Sequence, residues 1–150
     1  MMLLSKRALL AVAAVVDVAM HARPAPVAAK ALAGRHNLPP RHLETLLQSL
    51  VRANILKGVR GPRGGYELAR ERRRITMGEI VRIAILSEES DDATAANASK
   101  LITGVVAPMV AHAGESLMAA LDAVTVEELC KRSEQAGVFE GGARTVDFTI

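Results

Sequence analysis

Residues 60–66 read Arg60-Gly61-Pro62-Arg63-Gly64-Gly65-Tyr66, two guanidinium groups set in a backbone rich in glycine. Glycines let a main chain come close to another surface, and arginines give it charge. The fitting counterpart is a polyanion. Arg63 and the loop amides can lie along a phosphate strand, or an arginine can enter a narrow minor groove where the negative potential is strongest. Just upstream, Arg41, Glu44 or Thr45, Gln48 and Arg52 recur at three- to four-residue steps. On a helix such residues share one stripe. Arg41, His42, Glu44, Thr45 and Gln48 would then enter a major groove, where Arg41 suits guanine or a phosphate and Gln48 suits adenine. Thr45 suits a thymine methyl or a phosphate, and Glu44 can accept from cytosine. The competing readings are a charged surface turn and a solvated helix face.

Those residues need elements to hold them. A first helix spans Leu4 to His21, apolar on most of its circumference, and is expected either at the centre of the core or against a second subunit. A short helix follows over Val27 to His36, and Asn37 suits a left-handed turn. The next helix begins at Pro40, a residue at home in a first turn, and runs to Ala53 with Leu43, Leu46, Leu47, Leu50 and Val51 at core spacing. Two helices joined by a tight turn, the second exposing a polar stripe, describe a helix-turn-helix. Ile55–Val59 and Tyr66–Ala69 read as strands, making the arginine-glycine segment the tip of a wing.

Thr76-Met77-Gly78-Glu79 is a capping-box pattern that opens a helix to about Ile85, and Ser87–Ser99 is a polar, acidic connection. Lys100–Ala123 is helical by composition, with Gly104, Pro108 and Gly114 predicting a kink or break. A second capping box, Thr125-Val126-Glu127-Glu128, opens a last helix to Gln135, and a glycine-rich tail ends in Val146–Ile150. Three units result: 1–83 for DNA binding, 84–136 for linker and dimerisation helices, and a tail over 137–150.

Charge follows the same division. Residues 1–83 hold 15 Lys and Arg against 5 Asp and Glu, a net +10, whereas residues 84–150 hold 4 against 11, a net −7. A basic half condenses onto phosphates by releasing counterions. Solubility alone is the plainer account of the split. Half of the residues are hydrophobic, yet Tyr66, Phe139 and Phe148 are the only aromatic ones, which favours helices packed on small side chains. Lys6 and Arg7 before the run Ala8–Val16 imitate an export signal, but Asp17 charges the end of that run, so export is the lesser reading. No later stretch is expected to reach the roughly 18 apolar residues of a membrane span. No membrane contact is expected, and the predicted location is cytoplasmic.

The stretch Arg41-His42-Leu43-Glu44, the run Leu50–Val59, residues Arg60–Arg70 and Ile75-Thr76-Met77-Gly78-Glu79-Ile80 together resemble the Rrf2 family of transcriptional regulators over roughly residues 3–83. The second half is similar more loosely, through Leu117, Leu121, Thr125 and Leu129. The resemblance implies a mainly α fold with a small β-hairpin wing, a winged helix-turn-helix plus a long carboxyl-terminal dimerisation helix. It implies a homodimer that binds double-stranded DNA at a near-palindromic operator, with repression as its effect. The DNA-binding set would be Arg41, His42, Glu44, Thr45, Gln48, Arg60, Arg63, Gly64, Gly65 and Tyr66, with Glu44 matching a glutamate that some relatives use to discriminate bases.

The departures are as informative. Many relatives hold an iron–sulfur cluster through three cysteines in the region matching Ser87–Val110, and that region has none here. His112 alone does not replace three thiolates. Pro39 stands where relatives often have a serine that caps the recognition helix. Cys130, the single cysteine, excludes an internal disulfide and is a candidate redox site, with a buried structural thiol as the competing reading. No nucleophile elbow, phosphate-cradling loop or metal-binding His pair occurs, so no enzyme, cofactor or metal is expected. A winged helix used for protein contacts, without specific DNA recognition, is the alternative function.

Overall fold

Ser5 opens the first helix by accepting the Ala8 N–H through its hydroxyl at 3.2 Å, and the computed structural model describes the chain from Leu4 to Glu89 and again over 98–139. α1 (Lys6–His21), α2 (Ala29–Arg35) and α3 (Pro40–Arg52) lead into strands β1 (Leu56–Val59) and β2 (Gly65–Leu68), then α4 (Met77–Glu89). A π-helical turn, Ile102–Val106, continues into α5 (Ala107–Asp122), and α6 (Val126–Gln135) follows. The fold is mostly helical with a two-stranded antiparallel hairpin, as the winged helix-turn-helix reading requires. The expected acidic segment falls largely on 90–97, and the tail from 140 onward lies with it outside the described residues.

α1 takes the central position. Ala8, Ala11, Ala14, Val15 and Val18 are fully buried, and the helix packs on α4, α6 and β2. Small side chains on three faces allow that many neighbours to approach. Leu43, Leu46, Leu47 and Leu50 drive α3 into the same core, beside Leu32 of α2 and Ile55, Ile75 and Ile80. Each such side chain withdrawn from water contributes about 1.5–3 kcal/mol.

α2 starts two residues later than the sequence predicts, because Val27 is committed elsewhere. Its N–H donates to the Tyr66 carbonyl at 2.9 Å and its carbonyl accepts the Tyr66 N–H at 2.8 Å, so it flanks the hairpin as a third, one-residue strand. Within the hairpin, Leu56 pairs with Leu68, Lys57 with Glu67 and Val59 with Gly65. The register explains the glycines. A Cβ on Gly65 would run into the Val27 carbonyl, and one on Gly64 into the Val59 carbonyl.

Both capping boxes form at their amino-terminal hydroxyls. Thr76 Oγ1 accepts the Glu79 N–H at 3.2 Å while Glu79 Oε2 accepts the Thr76 N–H at 3.0 Å, and Thr125 Oγ1 accepts the Glu128 N–H at 3.2 Å. The two helix starts are also tied together, Met77 N–H to the Val124 carbonyl at 2.8 Å and Val126 N–H to the Ile75 carbonyl at 2.9 Å. α4 continues four residues beyond the expected end near Ile85.

Of the predicted kink or break in the second half, the structure shows no break but an irregular, widened turn. Pro108 has no N–H for the Gly104 carbonyl, and its ring would collide with that group in an ordinary helix. The chain responds with a π turn in which the Ala107 N–H reaches back five residues to the Ile102 carbonyl. Ile102–Asp122 therefore forms one 21-residue helix with a mean hydropathy of 1.3, long and apolar enough to cross a membrane. This corrects the expectation that no stretch reaches such a length. Its lower end is nonetheless anchored to the protein body, since Arg82 grips Asp122 with both η nitrogens at 2.7 and 2.6 Å.

Candidate nucleic-acid interface

α3 separates its faces cleanly. The four leucines are wholly buried, while Arg41, His42, Glu44, Thr45 and Gln48 are all exposed. Pro39 precedes the helix and Pro40 occupies its first position, with no side chain capping the start. The amide N–H groups of the first turn are therefore open, and a helix start of this kind attracts anions. Thr45 Oγ1 makes a long bond of 3.5 Å to the Arg41 carbonyl, and Ser49 Oγ donates to the Thr45 carbonyl at 3.1 Å.

The helix is positioned from behind. Asn37 adopts φ of 51°, as expected for a left-handed turn, and Leu38 N–H returns to the Ala33 carbonyl at 3.0 Å. The end of α2 is then fastened to α1 by a group that sequence reasoning took only as a charge ending an apolar run. Asp17 is fully buried, and Arg35 Nε donates to its Oδ2 at 2.8 Å and Arg35 Nη2 to its Oδ1 at 2.6 Å. His21 Nδ1 donates to Oδ1 at 3.0 Å and His36 Nε2 to Oδ2 at 2.8 Å. Burial pushes the Asp17 carboxyl upward, but the Arg35 guanidinium and the two imidazoles outweigh it and hold the group below the usual carboxylate range. Asp17 and His21 are four residues apart on α1, but Arg35 and His36 reach them only where the end of α2 meets α1, which local sequence does not announce.

On the wing, Arg60 and Arg63 are exposed at the hairpin tip, where Gly61 takes φ of 118°. Gly64, Gly65 and Tyr66 are less accessible than the sequence reading had them. Tyr66 packs against the core and fixes Val27, so these three hold the loop while the two arginines face outward. Nearby carboxylates are already engaged. Lys57 holds Glu67 at 2.9 Å, Arg70 holds Glu79 at 3.1 Å, and Arg73 holds Glu71 at 2.6 Å, keeping the Glu71 carboxyl below its ordinary range. Among the described residues no carboxylate pairs with Arg41, Arg60 or Arg63.

A cleft of about 880 Å³ runs beside α3 and adds residues that the sequence reading missed or underused. Arg41, His42 and Thr45 share it with Arg52 and with Arg7 from α1. Arg52 lay on the α3 stripe and was legible. Arg7 comes from a helix more than thirty residues upstream, and no local pattern predicts its place; its Nε donates to Ser87 Oγ at 3.1 Å.

Cys130 is almost completely buried, at 1% exposure. Burial raises its thiol above the usual range, more than the neighbouring Arg72 guanidinium lowers it. Such surroundings oppose the thiolate that oxidation requires. Among the described residues no group of three His, Cys, Asp or Glu side chains is arranged to hold a metal ion. A cluster held by three thiolates finds one thiol in the whole chain, so its ligand set does not fit.

A family model described as Rrf2, iron-dependent transcriptional regulator, matches residues 4–132. An HTH-type transcriptional regulator from Neisseria meningitidis serogroup A is 31% identical over 153 residues, an overlap of 99% of this chain and 98% of that protein. Another from a Synechocystis strain is 43% identical over 70 residues, and there the match spans 47% of this chain and 48% of the relative. Among solved structures, IscR of T. potens superimposes with a TM-score of 0.67 at 32% identity, covering 90% of each chain.

Proposed function

Since the chain belongs to the Rrf2 family of helix-turn-helix transcriptional regulators, we propose that it is a sequence-specific repressor that binds a near-palindromic operator as a homodimer without an iron–sulfur cluster. The observation that carries this reading is the set of arginines left without carboxylates among the described residues, Arg41 on α3 and Arg60 and Arg63 on the wing, while Lys57, Arg70 and Arg73 near the wing are paired. Free guanidinium groups on a rigid frame keep their full attraction for phosphate and for guanine edges.

In this reading α3 enters the major groove with Arg41, His42, Glu44, Thr45 and Gln48 toward the bases. Arg60 and Arg63 lie on the backbone or in the adjacent minor groove, and Gly64, Gly65 and Tyr66 shape the loop that presents them. α5 and the turn before it support a second copy. Ile102, Val105, Val106, Met109 and Val110 recur at helical spacing and are between 45% and 70% exposed. A stripe of that kind covered by its twin removes it from water and places two recognition helices for two half-sites. Residues 1–83 then read DNA, 84–136 pair the copies, 137–150 form a tail, and the cytoplasm is the place of action.

A competition assay tests the proposal. The purified chain should prefer its own upstream DNA over random duplex by at least about a thousandfold. Equal affinity for both would leave a winged helix used for protein contacts.

A further inference from the structure

Between α1, the end of α2 and α6 lies another hollow, a cavity of about 480 Å³. That volume is typical of small-molecule sites, which are mostly apolar with a few polar groups at one end. Here Val12 and Val16 of α1, Leu129 of α6 and Phe139, whose ring meets His21 edge-on at 4.7 Å, supply the apolar lining. The polar end is made by Arg35 and His36.

These two residues already hold Asp17, yet their donors are not all used. One buried carboxylate faces a guanidinium and two imidazoles, those of His21 and His36. Arg35 uses Nε and Nη2 on Asp17, and among the described residues its Nη1 has no acceptor, while the side chain remains 36% exposed. An anion arriving from the cavity would therefore meet an N–H donor of Arg35 that Asp17 does not use. We infer that this cavity binds a small apolar monocarboxylate, its hydrocarbon part between α1 and α6 and its carboxylate on the spare Nη1 of Arg35.

The chemistry narrows the class. A second carboxylate would be stranded among Val12, Val16 and Leu129, an amine would be repelled by Arg35, and an alcohol would give up the charge-assisted bonds. The position gives the site a purpose. Only Asn37, Leu38 and Pro39 separate His36 from α3, and only 123–125 separate α5 from α6, so an occupant touches both the DNA-reading and the pairing parts of the chain. That consequence rests on the function proposed above, whereas binding itself does not.

The test titrates octanoate and 4-phenylbutyrate into the full chain by calorimetry without DNA, with 1-octanol and octylamine as controls. At least one of the two acids should bind saturably, one per chain, with the alcohol weaker by at least about tenfold. Ala13→Phe, which fills the cavity wall beside Val12, should abolish binding, and Leu129→Phe serves if that variant melts early by circular dichroism. Arg35→Lys, which keeps a positive charge for Asp17 but removes the spare Nη1, should weaken the acid and leave the alcohol unchanged. Absence of saturable binding, equal affinity for acid and alcohol, or full binding by a folded cavity-filled variant would overturn the inference. A chain that takes up octanoate but shows no preference for its upstream DNA would sink the regulatory reading and leave this site standing.

Discussion

The body of the molecule and the helix that leaves it treat apolar surface in opposite ways. Around α1 most of the large apolar side chains have found cover, Leu9 excepted, and Asp17, the one buried charge among the described residues, is satisfied on both oxygens. Along α5 no residue is buried, and Met109 and Val110 stand 70% and 66% exposed. The same hydrophobic driving force acts on both. The body closes a core from one chain, whereas the helix has the composition of a core and lacks the second surface.

The sharpest way to break the body is to remove Asp17. Asp17→Ala leaves Arg35 and both histidines facing an empty site and should cost on the order of 3 kcal/mol, read as a fall in the urea midpoint. The same carboxylate sets an acid limit. Its folded-state pKa lies below its unfolded one, so the stability it confers is complete above the ordinary carboxylate range and disappears as pH falls through the depressed value. Asp17→Asn should flatten that part of the pH profile; an unchanged acid limb would show that the cluster contributes little.

The helix should respond in the other sense. Met109→Glu with Val110→Glu places charges where the pairing surface is proposed and should weaken self-association by about a hundredfold in sedimentation, with body stability changed by less than about 0.5 kcal/mol. Pairing that survives both charges would move the interface elsewhere. The smallest effects belong to single DNA contacts. Gln48→Ala should relax preference at one base pair by about 1–3 kcal/mol, and Arg63→Ala should weaken all sequences alike and lower the salt slope by about one.

How much of this was legible depended on the range of the contact. The α3 leucines, the capping threonines, the turn at Asn37 and the wing glycines follow local rules, so spacing and residue type were enough to place them. Val27 was drawn into a helix because its pairing with Tyr66 spans nearly forty residues, and periodicity carries no trace of that bond. Pro108 and the two nearby glycines predicted a kink or a break by local preference, and the helix carries a wider turn there without breaking. Arg7 and two partners of Asp17, Arg35 and His36, were invisible for the same reason as Val27. Of the predicted interface, the α3 side chains and the two wing arginines are exposed as expected, and Tyr66 turns inward because the core needs its ring.

Gly78 carries a consequence of a different kind. A Cβ there would meet the Asp122 carboxylate, at the point where the end of α5 comes down onto the start of α4. The angle at which the long helix departs is thus governed by a missing methyl group. If two copies join along that helix, this one gap helps to set the distance between their reading heads, and with it the length of DNA that the pair can span.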